Sequence, residues 1–194
     1  MIITDYYNSY NIYKDIRNAS WNCLIDNKIN KLPIALVPIA HNYGIKVKSN
    51  ISAKVLKPKE RGKIIVFDPP VIILDDTLSE QVQRFTLAHE IGHWVLGHFG
   101  NNINNLSRQY LTTPQEKEAE GFAARLLAPA CVLWGLGLHT PQEIAAACNI
   151  SMQAATIRAK RMEILYKRNM FLSHPLEQKV YDNFKEYIKS NKKI

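Results

Sequence analysis

The chain is poor in cysteine, lacks any sustained apolar run and carries no internal repeat. Its three cysteines, Cys23, Cys131 and Cys148, are odd in number and far apart, with no CxxC. No disulfide framework is expected, and a reducing cytoplasm is the natural setting. A membrane span needs about 18 or more apolar residues. The most hydrophobic stretch, 122–138, is interrupted by Arg125, Pro129, Gly135 and Gly137. The opening Met1-Ile2-Ile3-Thr4-Asp5 turns polar at once, unlike a signal peptide. A secreted or membrane class is therefore not expected, and 194 residues suit one domain or a domain with a small appendage.

Acidic residues are also in the minority. The formal charge is +8, from 25 Lys/Arg against 17 Asp/Glu. Residues 1–139 hold 15 and 12, a net of +3, while residues 140–194 hold 10 and 5, a net of +5. The basic excess thus belongs to the C-terminal part, where it suits either nucleic acid, an acidic partner or a plain solubilising face.

Against these absences stands one strong pattern, His89-Glu90-Ile91-Gly92-His93. Helical residues four apart share a face, so both histidines can aim at one metal ion. Glu90, one position after the first, lies beside the metal and is placed to take a proton from the attacking water. The surroundings read as a helix. Thr77 is a candidate N-cap with Glu80 at the capping-box spacing, and Leu78, Val82, Phe85, Ala88, Ile91 and Val95 recur at helical intervals. Histidines on a buried helix need partners, and a metal is one. Gly92 costs a helix about 1 kcal/mol against alanine, so its use is expected to be the close approach of another backbone.

Before the motif, residues 6–29 read as a helix with Tyr10, Tyr13, Ile16, Trp21, Leu24 and Ile25 on its packed face. Leu32-Pro33 begins a short helix through Ala40, weakened by Pro38 and stopped by Gly44 in the left-handed region. Residues 45–47 suit a first strand. The β-branched runs 63–67 and 71–74, separated by Asp68-Pro69-Pro70, read as a hairpin leading into the motif helix. Residues 100–113 are Asn-rich and are expected to form a loop over or beside the site.

A second helix starts near Thr113, read as its N-cap, with Pro114 in the first turn and Glu116 at the capping-box position. It runs to Pro129. Glu116 and Glu120 are four apart and share a face, which is unfavourable unless a positive partner lies nearby. A metal with its histidines would be one. For Glu116 the competing reading is the capping box alone; for Glu120 it is an ordinary surface charge.

The stretches 85–93 (FTLAHEIGH) and 116–129 (EKEAEGFAARLLAP) together resemble the ImmA/IrrE family of metallo-endopeptidases, over roughly residues 30–165. The resemblance implies a gluzincin-style zinc site: His89 and His93 plus a downstream glutamate, with water in the fourth position. By that likeness Glu116 is the third ligand. Family members usually carry Asn or Asp where this chain has Glu120, which leaves Glu120 as a group behind a ligand or as an alternative ligand. Zinc is the expected ion, with manganese or iron also accepted by such donors. An oxyanion donor is sought among Tyr110, His98 and His139. His98 stands at the tenth position of the motif rather than the eleventh used by metzincins, so it is expected to end the helix and not to bind the metal.

Behind this, Thr140-Pro141-Gln142-Glu143 repeats the cap, proline and glutamate start. A turn at Asn149 and a cap at Ser151 complete a helix-turn-helix pattern, whose second helix has Arg158, Lys160, Arg161, Lys167 and Arg168 as candidate phosphate contacts. Burial of Ala154, Ile157, Met162, Leu165 and Tyr166 would instead set Arg158 and Arg161 at the rim, so specific DNA binding is not expected. Residues 171–194 suit a last amphipathic helix.

The expected fold is α+β and mostly helical: a small sheet or hairpin packed on the motif helix in residues 1–139, and a helical, helix-turn-helix-like region in 140–194. The resemblance implies an endopeptidase that cuts a helix-turn-helix repressor to release its genes. Two other classes remain open on sequence alone: a DNA-binding regulator with a structural or sensing metal, and a protein that sequesters a repressor without cutting it.

Overall fold

The computed structural model describes residues 2–99 and 112–192, with side chains from Ile12 onward. The fold is mostly helical with a single three-stranded sheet among the described residues. Helix α1 (Ile2–Asp26) buries Ile16, Trp21 and Leu24 as its pattern implies; the side chain of Tyr10 lies outside the described residues. Helix α2 (Leu36–Asn42) begins four residues later than Leu32-Pro33 suggests. Pro38 then falls at its third position, where a backbone N–H has no helical acceptor anyway and its loss is harmless. Gly44, at φ +74°, ends the helix as expected. The Gly44 N–H donates to the His41 carbonyl and the Ile45 N–H to the Ala40 carbonyl, both at 2.9 Å, a Schellman stop.

Strand β1 (Lys46–Ser49) leads through the short α3 (Asn50–Ala53) to β2 (Gly62–Ile65) and β3 (Val71–Leu74). β2 and β3 are the antiparallel hairpin read from the sequence, with Ile64 opposite Ile72, and β1 joins β3 in parallel, giving the order β1-β3-β2. β2 is thus an edge strand, and it is the edge nearest the motif helix. That helix is α4 (Glu80–Val95). Its N-cap is Ser79 and not Thr77. Thr77 instead donates its N–H and hydroxyl to Asp75 Oδ1, forming the turn between sheet and helix. From Thr86 to His93 every residue of α4 is buried, because α5, α2 and the sheet pack against it.

The second motif helix, α5 (Thr113–Leu127), is capped one residue earlier than expected. Thr112 is the N-cap and Gln115, not Glu116, closes the capping box. The competing reading of Glu116 as a cap is thereby removed. Pro129 ends α5 and starts α6 (Ala130–Leu136). Taken together, Thr113–Leu136 has the length and apolar character of a membrane span, but it is two helices of the core with 67% of the apolar window buried. α4 and α5 cross closely at Gly92, where a Cβ would stand 3.0 Å from Phe122 Cδ1 and 3.3 Å from the Ala119 carbonyl oxygen. The glycine has the use expected of it.

Helices α7 (Pro141–Cys148) and α8 (Met152–Arg168) form the helix-turn-helix unit. Thr140 and Glu143 make a full capping box, Asn149 turns at φ +49°, and Ser151 caps α8. α8 buries Ala155, Ala159 and Met162, whereas Ile157 is 66% exposed, contrary to expectation. The α7–α8 turn is fastened to α4: Arg84 donates to the carbonyls of Asn149, Ile34 and Cys148, and Gln81 and Glu80 hydrogen-bond the Asn149 side chain. Helix α9 (Pro175–Asn191) covers α6 and α1 through Val180, Phe184 and Ile188. One continuous apolar cluster runs from Ile16 to Ile188.

Candidate metal centre

The α4 spacing brings His89 and His93 onto one face, and α5 lays Glu116 against them. The His89 and His93 Nε2 atoms are 2.9 Å apart. Glu116 Oε2 lies 3.2 Å from His89 Nε2, and Glu116 Oε1 lies 3.6 Å from His93 Nε2. A tetrahedral ion bound at about 2.0–2.1 Å has ligand–ligand edges of about 3.3 Å. The three separations bracket that value, so the donors fit a small divalent ion with one position left to a water or substrate. Among the described residues these three form a group that could hold a metal ion. The histidines are buried while Glu116 is 30% exposed, so the site opens on the α5 side.

Glu90 is 1% exposed and does not join that group. Its Oε2 accepts the backbone N–H of Ile64, on the edge strand β2, at 3.0 Å. A sheet donor therefore fixes the carboxylate beside the histidines.

A chain of groups stands behind His93. His93 Nδ1 and His98 Nδ1 are 2.8 Å apart, and His98 Nε2 lies 3.1 Å from Glu118 Oε2. An imidazole that offers its Nε2 lone pair to a metal carries its proton on Nδ1. His93 then donates to His98, and His98 donates to Glu118. This is the carboxylate–histidine support typical of metal ligands, extended by one imidazole. His98 is neither the end of the helix nor placed as an oxyanion donor. Gly97, at φ +70°, terminates α4, and the His98 N–H returns to the His93 carbonyl at 3.1 Å, which folds the side chain back behind His93. Glu118 is not among the site residues that the sequence pattern marks out. Its spacing from Glu116 was visible, but its partner was not.

The other candidates are dispersed. Glu120 is exposed on the rim of the cleft and has no hydrogen bond or ion pair among the described residues. His139 stacks on Tyr166 with ring centres 4.6 Å apart, away from the cleft. Tyr110 and the rest of the Asn-rich segment up to residue 111 lie outside the described residues. The cleft over the site encloses about 350 Å³, between the approach to β2 (Lys59, Arg61), α4 (Phe85, Thr86, His89) and α5 (Glu116). Lys59 and Arg61 are cations at the site that no motif in the sequence marks out.

The IrrE N-terminal-like domain family of peptidases matches residues 41–160, well over half of the chain. A mostly helical fold with a His-Glu-x-x-His helix and a glutamate from the next helix defines a metallopeptidase-type site. The chain belongs to the ImmA/IrrE family of metallopeptidases. No curated protein matches it at a significant level.

Proposed function

We propose that this protein is a zinc-dependent endopeptidase that cuts a helix-turn-helix transcriptional repressor in the cytoplasm and so releases the repressed genes. The observation that carries the peptidase reading is the convergence of His89, His93 and Glu116 within 4.8 Å of one another, beside Glu90. The family resemblance supports a regulatory substrate, and three free, buried cysteines suit a reducing compartment.

A zinc ion held by His89, His93 and Glu116 would polarise the scissile carbonyl and lower the pKa of a water towards about 7. Manganese or iron would suit the same donors. The rest of the chemistry belongs to the chain. Glu90 takes a proton from the attacking water and hands it to the leaving amine. The Ile64 N–H holds one oxygen of that carboxylate and so fixes the group's position at the site. The substrate binds extended along β2, the edge strand, with Lys59 and Arg61 beside it. The Glu118–His98 pair keeps the His93 ring in one orientation.

The test is co-incubation of the protein with the product of a neighbouring repressor gene, with and without chelator, beside the Glu90→Gln variant. Chelator-sensitive fragments that the variant fails to produce are expected. The amide oxygen introduced by that substitution still accepts the Ile64 N–H, so fold and bound metal, measured by elemental analysis, should be retained. A variant that relieves repression without cutting would indicate sequestration instead.

A further inference from the structure

A second cavity, of about 310 Å³, lies between α1, the end of α5, α8 and the start of α9. Its wall carries six cations, Lys14, Arg17, Arg125, Arg158, Arg161 and Arg168, against one carboxylate, Glu177. Charge of one sign is costly to gather in a fold. Among the described residues none of the five arginines forms a salt bridge. Glu177 accepts the Leu172 N–H at 2.9 Å instead.

Three of the guanidinium groups are held in place by neutral partners. Arg125 lies 4.4 Å above the Tyr13 ring and donates to the Gly121 carbonyl. Arg161 donates to the Tyr13 hydroxyl at 2.7 Å, and Arg17 lies 4.7 Å over the Trp21 ring. Such contacts orient cations without neutralising them. Arg158 is the extreme case. Its Nε is closed to solvent and has no hydrogen-bond partner among the described residues. Burial, with Arg125 adding to it, pulls its pKa down to about 10, so it still carries its charge at neutral pH. A buried donor of this kind is costly to leave unmatched.

We propose that this cavity is a binding site for a small phosphate-bearing ligand, a phosphomonoester no larger than a mononucleotide. Several fixed guanidinium forks match a dianion with three or more acceptor oxygens better than they match one carboxylate. The volume lies at the small end of ligand pockets, which run from about 300 to 1,000 Å³. Arg158 and Arg161 reach it from the helix that a helix-turn-helix protein would turn to DNA. Here they face α1, and duplex DNA would not enter. The site is remote from His89 and Glu116, and it stands whether or not the peptidase reading does.

Calorimetric titration of the full, metal-loaded chain with AMP and with inorganic phosphate tests this, against chloride at matched ionic strength. Saturable binding in the micromolar-to-millimolar range is expected. Tighter binding of AMP identifies an ester, and equal binding identifies free phosphate. Arg158→Gln should weaken it about 10–100-fold, as for a lost hydrogen bond to a charged group. Arg168→Ala, at the exposed mouth and harmless to folding, should weaken it a few-fold, while Lys160→Ala on the outer face of α8 should leave it unchanged. The proposal fails if neither phosphate binds above the chloride control, or if binding survives in both arginine variants. It fails equally if a short DNA duplex binds more tightly than AMP and loses that binding in the same variants.

Discussion

Replacing His98 by phenylalanine removes the acceptor of the His93 Nδ1–H while keeping a ring of similar size. The side chains of His93 and His98 are 0% and 5% exposed, so water does not take the vacated place. An orphaned buried donor costs about 1–3 kcal/mol. If that cost falls on the His93 orientation that binds metal, affinity drops by about 5–150-fold, at about 1.4 kcal/mol per decade. Losses of about 10–100-fold are usual for groups that support a metal ligand, and the two routes agree. Glu118→Gln is the control. Its amide oxygen still accepts the His98 Nε2–H, so only the charge is lost, at a group 25% exposed. The expected loss there is about fivefold or less. Zinc competition with a chromophoric chelator, on protein shown folded by near-ultraviolet circular dichroism, reads both variants. Zinc affinity of His98→Phe within about twofold of the parent would refute the orientation argument. An equal loss in Glu118→Gln would mean that charge, and not the hydrogen bond, is what His93 needs.

Glu116→Ala should reduce zinc affinity by more than the roughly 100-fold of a supporting group, and Glu120→Ala by no more than a few-fold, because only Glu116 lies near both histidines; the reverse order in the same competition assay would swap their roles. Gly92→Ala should destabilise the fold by up to about 2 kcal/mol in denaturant unfolding. Overpacking against Phe122 and the Ala119 backbone costs about 1–3 kcal/mol, and the better helix propensity returns about 1; a stabilised variant would contradict the close crossing. Cys23 and Cys148 are buried, and burial pushes their thiols up to about 12. A raised thiol pKa keeps the proton on, so at about pH 8 only about one in ten thousand is thiolate. Iodoacetamide should modify them only after denaturation, as followed by mass spectrometry.

What was legible in the sequence is what local physics decides. The 3.6-residue period sets His89 and His93 on one face of α4. Side chains within three residues of a helix start make the caps at Thr140 and Ser151, and Gly44 and Asn149 take the left-handed stops. The hairpin follows from two β-branched runs around a Pro-rich turn. Even here a one-residue shift matters: Thr112 and Thr113 are equally good caps by type, and in the folded chain, where α5 packs on α4, Thr112 is the cap. That selection gave the box to Gln115 and turned Glu116 to the histidines. The rest depends on contacts between segments distant along the chain. Glu118 reaches His93 only through His98, which the Gly97 turn folds back. Arg158 and Arg161 read as candidate DNA contacts because periodicity shows which residues share a face, not which neighbour covers it. Tyr13 lies 148 positions before Arg161, and its docking turned a basic helix face into the wall of a cavity.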